Sequence, residues 1–181
     1  MITYYLSQPS NRVEISILDA AGRTIRTLRG PANAGLNRAT WDLRMEGNGP
    51  KVLPGKYIAS VEGIGKSEAT VLPDPKFLIS DADRKTRQTA IMNGYTLQQH
   101  LISVRDAARR LAGPEGMRLQ SEINRIIAAA ANVQNAMDNY SGLPTAAQLR
   151  QLDWAWEDAV AAVNEVNGLL PAKDRVRVPK R

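Results

Sequence analysis

The chain contains no cysteine and a single histidine, His100. Without cysteine there are no disulfides, no thiolate nucleophile and no Cys-based zinc site. One histidine rules out a His-rich metal site and makes a zinc site a poor expectation. Aromatic residues are also scarce: three Trp, five Tyr and one Phe in 181 residues. A core built from this composition is mostly aliphatic. No apolar run approaches the roughly 20 residues that a membrane span requires. The start, Met1-Ile2-Thr3-Tyr4-Tyr5-Leu6, has no basic segment ahead of an apolar one, so it does not read as a secretory signal. It reads as a strand, which raises the expectation that the chain is a piece of a longer polypeptide.

Net charge is +6. Residues 1–75 hold nine Lys/Arg and seven Asp/Glu. The last nine residues, which carry five basic residues and one acid, account for the remaining excess. A concentration of this kind reads as a solubilising or disordered basic tail over 171–181. The sharper alternative is a nucleic-acid arm using Arg175, Arg177, Lys180 and Arg181.

What is present divides into two periodicities. Val13, Ile15 and Ile17 alternate with Glu14 and Ser16, the period of a half-buried strand. Asp19-Ala20-Ala21-Gly22 is a tight turn, and Thr24–Leu28 returns as the partner strand. Gly30-Pro31 interrupts the ladder because proline has no amide donor. A further strand is expected over Leu36–Leu43, with Ala39, Trp41 and Leu43 on one face. Trp41 is the largest apolar side chain of this half and is expected to centre the core, with Tyr57 as a second anchor. A sugar-binding platform is the alternative for Trp41. Pro54-Gly55 suits a type II turn before the strand holding Tyr57, Ala59 and Val61. Gly63-Ile64-Gly65 is the last hairpin. Six or seven short strands before residue 72 indicate an antiparallel sandwich.

The run Val13–Leu28, then Gly35, Trp41-Asp42 and Leu53-Pro54-Gly55-Lys56-Tyr57, resembles the Ig-like or fibronectin-III-like repeat of the flagellar hook-capping protein. It is also similar to the C-terminal module of bacterial sortilin-like proteins, which carry BNR-type β-propeller repeats. The resemblance covers about residues 1–75 and implies an accessory module of a larger protein, periplasmic or secreted. The propeller is not in this chain, so no catalytic residue is carried over from it.

Leu72-Pro73-Asp74-Pro75 marks a boundary, with a proline-containing linker expected over 73–79. Beyond it the apolar period becomes about 3.5. Ser80-Asp81-Ala82-Asp83 reads as a helix cap with acids in the first turn. Asp81 and Asp83 as a catalytic or metal pair is the sharper alternative. Ala90, Gly94, Leu97, Leu101, Val104, Ala108 and Leu111 form one seam. Leu119, Ile123, Ile126, Ala130, Val133 and Met137 form a second, after Gly113-Pro114-Glu115, and Asn139–Pro144 ends that helix. Leu149, Leu152, Trp156, Ala159, Val163, Val166 and Leu170 form a third, after the capping box Thr145-Ala146-Ala147-Gln148. Short connections between the three imply an antiparallel three-helix bundle over 80–170, about 35–45 Å long at 1.5 Å per residue. The fold class is therefore α+β in two domains: an Ig-like sandwich over 1–72, then the bundle.

Trp156 anchors the third seam, and Trp154 falls off it. Docking on the sandwich or cover for the bundle flank is the plain reading. A partner or self-association contact is the sharper one, because tryptophan anchors interfaces. No catalytic set emerges. Ser103 lies three residues after His100, with no strained nucleophile turn around it. Gly63-Ile64-Gly65-Lys66 is explained by a hairpin rather than a phosphate loop. The expectation is a non-enzymatic interaction module with no cofactor or metal. Its partner is another protein or the remainder of a larger chain. The rivals are a non-catalytic part of a propeller-type glycoside hydrolase and a nucleic-acid binder.

Overall fold

A computed structural model describes residues 1–181 except Gly47, Asn48, Phe77, Ser141 and Arg181. Ser141 in the expected stop of the second helix and Arg181 in the basic tail therefore lie outside the described residues. The chain divides into two compact units, Met1–Leu78 and Ile79–Arg181.

Among the described residues the first unit holds six strands: β1 (Ile2–Leu6), β2 (Val13–Leu18), β3 (Thr24–Gly30), β4 (Gly35–Ala39), β5 (Gly55–Val61) and β6 (Gly65–Val71). All pairings are antiparallel. β1 pairs with β4, and the other four run in the order β3-β2-β5-β6. The inward residues of both sheets meet in one core of Tyr4, Val13, Ile15, Ile17, Trp41, Ala59 and Val61. The Asp19 carboxylate builds the β2–β3 turn by accepting from the Ala21 and Arg23 amides, each at 2.9 Å, while Gly22 takes φ +77°. The open edge of β3 is covered locally. The Glu46 amide donates to the Ile25 carbonyl at 2.9 Å, and the Thr27 amide donates to the Glu46 carboxylate at 2.7 Å. Such cover removes an edge that would otherwise template pairing.

Two strand expectations need correction. β3 continues through Gly30, which pairs with Val13. A side chain at Gly30 would collide with the Tyr4 hydroxyl, which donates to the Pro31 carbonyl. Glycine thus lets the strand run on beneath that ring. β4, by contrast, ends at Ala39, short of Trp41. After it the chain curls: Asp42 accepts from the Arg44 amide at 3.1 Å, and the Trp41 indole donates to the Arg44 carbonyl at 2.9 Å. This curl puts Leu43 at φ +61° and turns its side chain out to solvent, away from the core face it was expected to share.

The second unit comprises α1 (Asp81–Ala108), α2 (Gly113–Asn139), α3 (Ala146–Leu169) and a short 3₁₀ turn (Ala172–Asp174). The predicted caps form. Ser80 accepts from the Asp83 amide, and Thr145 and Gln148 make a reciprocal capping box. Cross-helix pairs fix the directions. Arg118 pairs with Glu165, and Arg125 pairs with Asp158 at 3.5 Å, so advancing along α2 means retreating along α3. Arg87 reaches the Tyr140 carbonyl, and Gln98 donates to Gln134 at 2.6 Å, which sets α1 against α2 in the same sense.

All three helices feed one core. The α2 seam is buried as expected. In α1, Ile91 and Ala107 join the seam, and in α3 so do Ala155 and Ala162. A helix touching two neighbours needs a wider apolar stripe than a two-stranded coiled coil does. Leu149 departs from its expected seam and is 38% exposed. Nor is the segment after α3 a loose tail. The Asn167 side chain donates to the Val176 carbonyl and accepts from its amide, both at 2.8 Å, and Val176 packs against the helical core.

A candidate interaction face on the third helix

The capping box sets the phase of α3. Leu152, Ala155, Trp156, Ala159, Ala162, Val163 and Val166 then turn inward. At about 100° per residue that phase directs Trp154 outward. Trp154 is 55% exposed, whereas Trp156, two residues on, is buried. An exposed indole is a large apolar surface with one hydrogen-bond donor, the combination that anchors protein contacts.

Two depressions flank this ring. One, of about 390 Å³, lies between α2 and α3 and is lined by Ala129, Asn132, Val133, Gln151, Ala155 and Asp158. The other, of about 370 Å³, runs along α3 beside Leu149, Arg150, Asp153 and Glu157. Leu149 also lines a third hollow of about 420 Å³, with Leu143 and Pro144 ahead of α3 and Thr86, Ala90 and Asn93 on α1. The first half of α3 is thus a ridge with an apolar groove on its α2 side and a hollow lined by Arg150, Asp153 and Glu157 on the other. Its charges are of both signs: Arg150 and Asp153 before Trp154, and Glu157 and Asp158 after it.

The remaining sequence candidates are placed elsewhere. Trp41 is buried, and its ring meets Tyr57 edge-on at a centroid distance of 5.4 Å. The half-buried Tyr57 hydroxyl donates to the Leu53 carbonyl at 2.7 Å, and burial raises its pKa above the ordinary phenol value. This packing leaves no open aromatic platform for a sugar. Asp83 both receives the Ser80 hydroxyl and donates its amide back, so the Asp81–Asp83 segment serves the α1 start. Among the described residues no cluster of three or more His, Asp or Glu is arranged to hold a metal. His100 is half-buried on α1, and Ser103 is exposed. Gly63, at φ +72°, closes the β5–β6 hairpin with no helix behind it to receive a phosphate. Arg175, Arg177 and Lys180 are exposed around the pinned Val176. No helix among the described residues is long and apolar enough to cross a membrane.

Three features escaped the sequence. Gln134 is a buried polar residue beside Gly94, paired with Gln98. Arg87 on α1 donates to the carbonyls of Met137 and Asp138 at 2.7 and 3.0 Å as well as to Tyr140, and so caps α2 from a neighbouring helix. Burial lowers its pKa from the ordinary guanidinium value. Tyr5 and Leu36 are register partners on the outer face of the β1–β4 pair, and each is 64% exposed. The alternation that buries Tyr4 gave the one available signal for Tyr5.

Residues 1–67 match the family model of the FlgD Ig-like domain. The match falls on the strands and stops before the helices. No curated protein and no solved structure matches the chain. The N-terminal unit is an Ig-like module, and the chain continues into three helices that form the second unit.

Proposed function

We propose that this chain is a non-catalytic interaction module that contacts another polypeptide through the Trp154 face of α3. The carrying observation is the exposed indole between two depressions on a helix whose opposite face is committed to the core. The Ig-like match over residues 1–67 supports the reading by analogy of fold. The finer form of the proposal is an accessory portion of a larger extracytoplasmic protein of the sortilin-like, BNR-propeller kind. The sequence resemblance supports that form. Its check is the mass of the native polypeptide in source cells: a species well above 19.8 kDa supports it, and a species of 19.8 kDa overturns it.

The contact reading is tested by placing the photo-crosslinker p-benzoylphenylalanine at position 154 in source cells. Light-dependent adducts to a polypeptide at this position, and none from the same probe at exposed Lys56 on the sandwich, are the expected result. No adduct from position 154 overturns it.

A further inference from the structure

Resting on the reading of this face as a protein contact, we infer that its occupant is a second copy of the chain, with the two α3 helices antiparallel about a two-fold axis through Trp154. The inference comes from the order of exposed residues along α3. In the two turns on either side of Trp154 the outward positions are Ala147, Arg150, Gln151, Trp154, Glu157, Asp158 and Ala161; Leu149 is exposed at the margin of this face, and Asn164 and Glu165 are exposed beyond it. About Trp154 this series is self-complementary. Alanine lies seven residues before and seven after. Arginine lies four before and aspartate four after. Glutamine lies three before and glutamate three after.

In an antiparallel pair centred on Trp154, residues equidistant before and after it face one another. Arg150 of each copy then meets Asp158 of the other, about 6 Å along the axis from the central ring. Gln151 meets Glu157, an amide donor against a carboxylate. Ala147 meets Ala161, and two small side chains let the backbones approach at both ends of the contact. Each Trp154 lies against the other copy's α2–α3 groove, which Ala129, Val133 and Ala155 floor with apolar atoms. A parallel arrangement offers none of this, because it sets Arg150 against Arg150 and Asp158 against Asp158. An isologous two-fold contact requires a surface that complements itself, and this face does.

Asp158 is already 3.5 Å from Arg125 of its own chain, yet its side chain is half-exposed and keeps acceptor positions for a second guanidinium. The ridge spans about four turns of one helix. A contact confined to one helix face is narrow beside a standard stable interface of roughly 800 Å² per partner, so a reversible, concentration-dependent dimer is the expectation.

Sedimentation equilibrium of the full chain, from about 1 µM to about 1 mM, tests the inference. The expected result is a monomer–dimer equilibrium that Trp154→Ala abolishes while helical circular dichroism is retained. Arg150→Asp and Asp158→Arg should each weaken the dimer by about tenfold. The double variant Arg150→Asp/Asp158→Arg should recover most of the loss, since the pair is restored with its sense reversed. A chain monomeric throughout overturns the inference. So does a dimer indifferent to Trp154→Ala or to the charge changes, or a double variant no better than its parents. A monomeric chain that still crosslinks from position 154 to a different protein overturns self-association and leaves the contact reading standing. A monomeric chain without any crosslink removes both.

Discussion

Trp41 shows what one side chain does for the sandwich. It follows β4 rather than lying in it, so two interactions beyond the ladder hold it: the edge-on contact with Tyr57 and the indole bond to the Arg44 carbonyl at 2.9 Å. Trp41→Phe keeps an aromatic ring and removes the donor, and we expect a loss of about 1 kcal/mol. Trp41→Ala removes the ring as well and should cost about 3–5 kcal/mol. Urea denaturation of the full chain followed by tryptophan-independent circular dichroism checks both, and equal losses would show that the indole bond governs the site. Asp19 acts through charge. The Arg23 amide, then the Arg23 side chain, hold its carboxyl below the ordinary aspartate value. A folded pKa below the unfolded one gives stability that is present above about pH 4 and lost as pH falls through the folded value. Asp19→Asn should therefore melt below wild type at pH 7 and converge with it in acid. A gap that persists at low pH would place the turn's stability in neutral hydrogen bonds instead.

At the scale of elements, the end of α2 depends on a neighbour. α2 has no basic residue in its last turn, and no glycine caps it. Its final carbonyls are instead met by Arg87 from α1, a half-buried guanidinium whose charge-assisted bonds are stronger than neutral ones. Arg87→Met keeps the aliphatic stem and removes the donors, and the expected cost is about 1.5–3 kcal/mol. Amide exchange at Ala136–Asn139 should quicken most. Uniform quickening over all three helices would mean that Arg87 packs rather than caps. No spacing rule reveals a cap donated from 50 residues away in sequence. That divides what was legible from what was not. Val13, Ile15 and Ile17, the Ser80 and Thr145 caps and the α2 seam are local patterns, and each was readable. Leu43 was misplaced because Asp42 and the Trp41 indole bend the chain after β4, a competition between side-chain and ladder bonds that alternation does not contain. Ala155 and Ala162 were missed because a heptad template provides for one partner and α3 has two. Trp154 was legible as an outlier to its own seam, but the grooves beside it needed α2 in place.

The whole molecule is two units with separate cores. Every member of one buried cluster lies before residue 79, and every member of the other lies after it. Between them Asp74, Pro75 and Lys76 are exposed, and the Lys76 amide bonds locally, to the Asp74 carboxylate at 2.9 Å. Lys56 and Lys66 lie in the β5–β6 ladder and Arg118 lies in α2, where the backbone is engaged, whereas Arg12, Arg175, Arg177 and Lys180 are exposed outside strands and helices. A protease must draw an extended segment into its cleft, so it selects backbone that opens without breaking a ladder or a helix. Apart from trimming at Arg12 near one end and at Arg175, Arg177 and Lys180 near the other, brief trypsin treatment should therefore cut first after Lys76. The two products should each retain their own secondary structure, β for residues 1–76 and helical for 77–181. Mass spectrometry of the early products identifies the cut, and circular dichroism of the separated fragments reads their folds. If the first cut falls after Lys56 or Arg118, the ladder or the helix opens more readily than the connector. If the helical fragment unfolds on separation, its core of aliphatic side chains from three helices is insufficient alone, and the stability of the bundle resides in the intact chain.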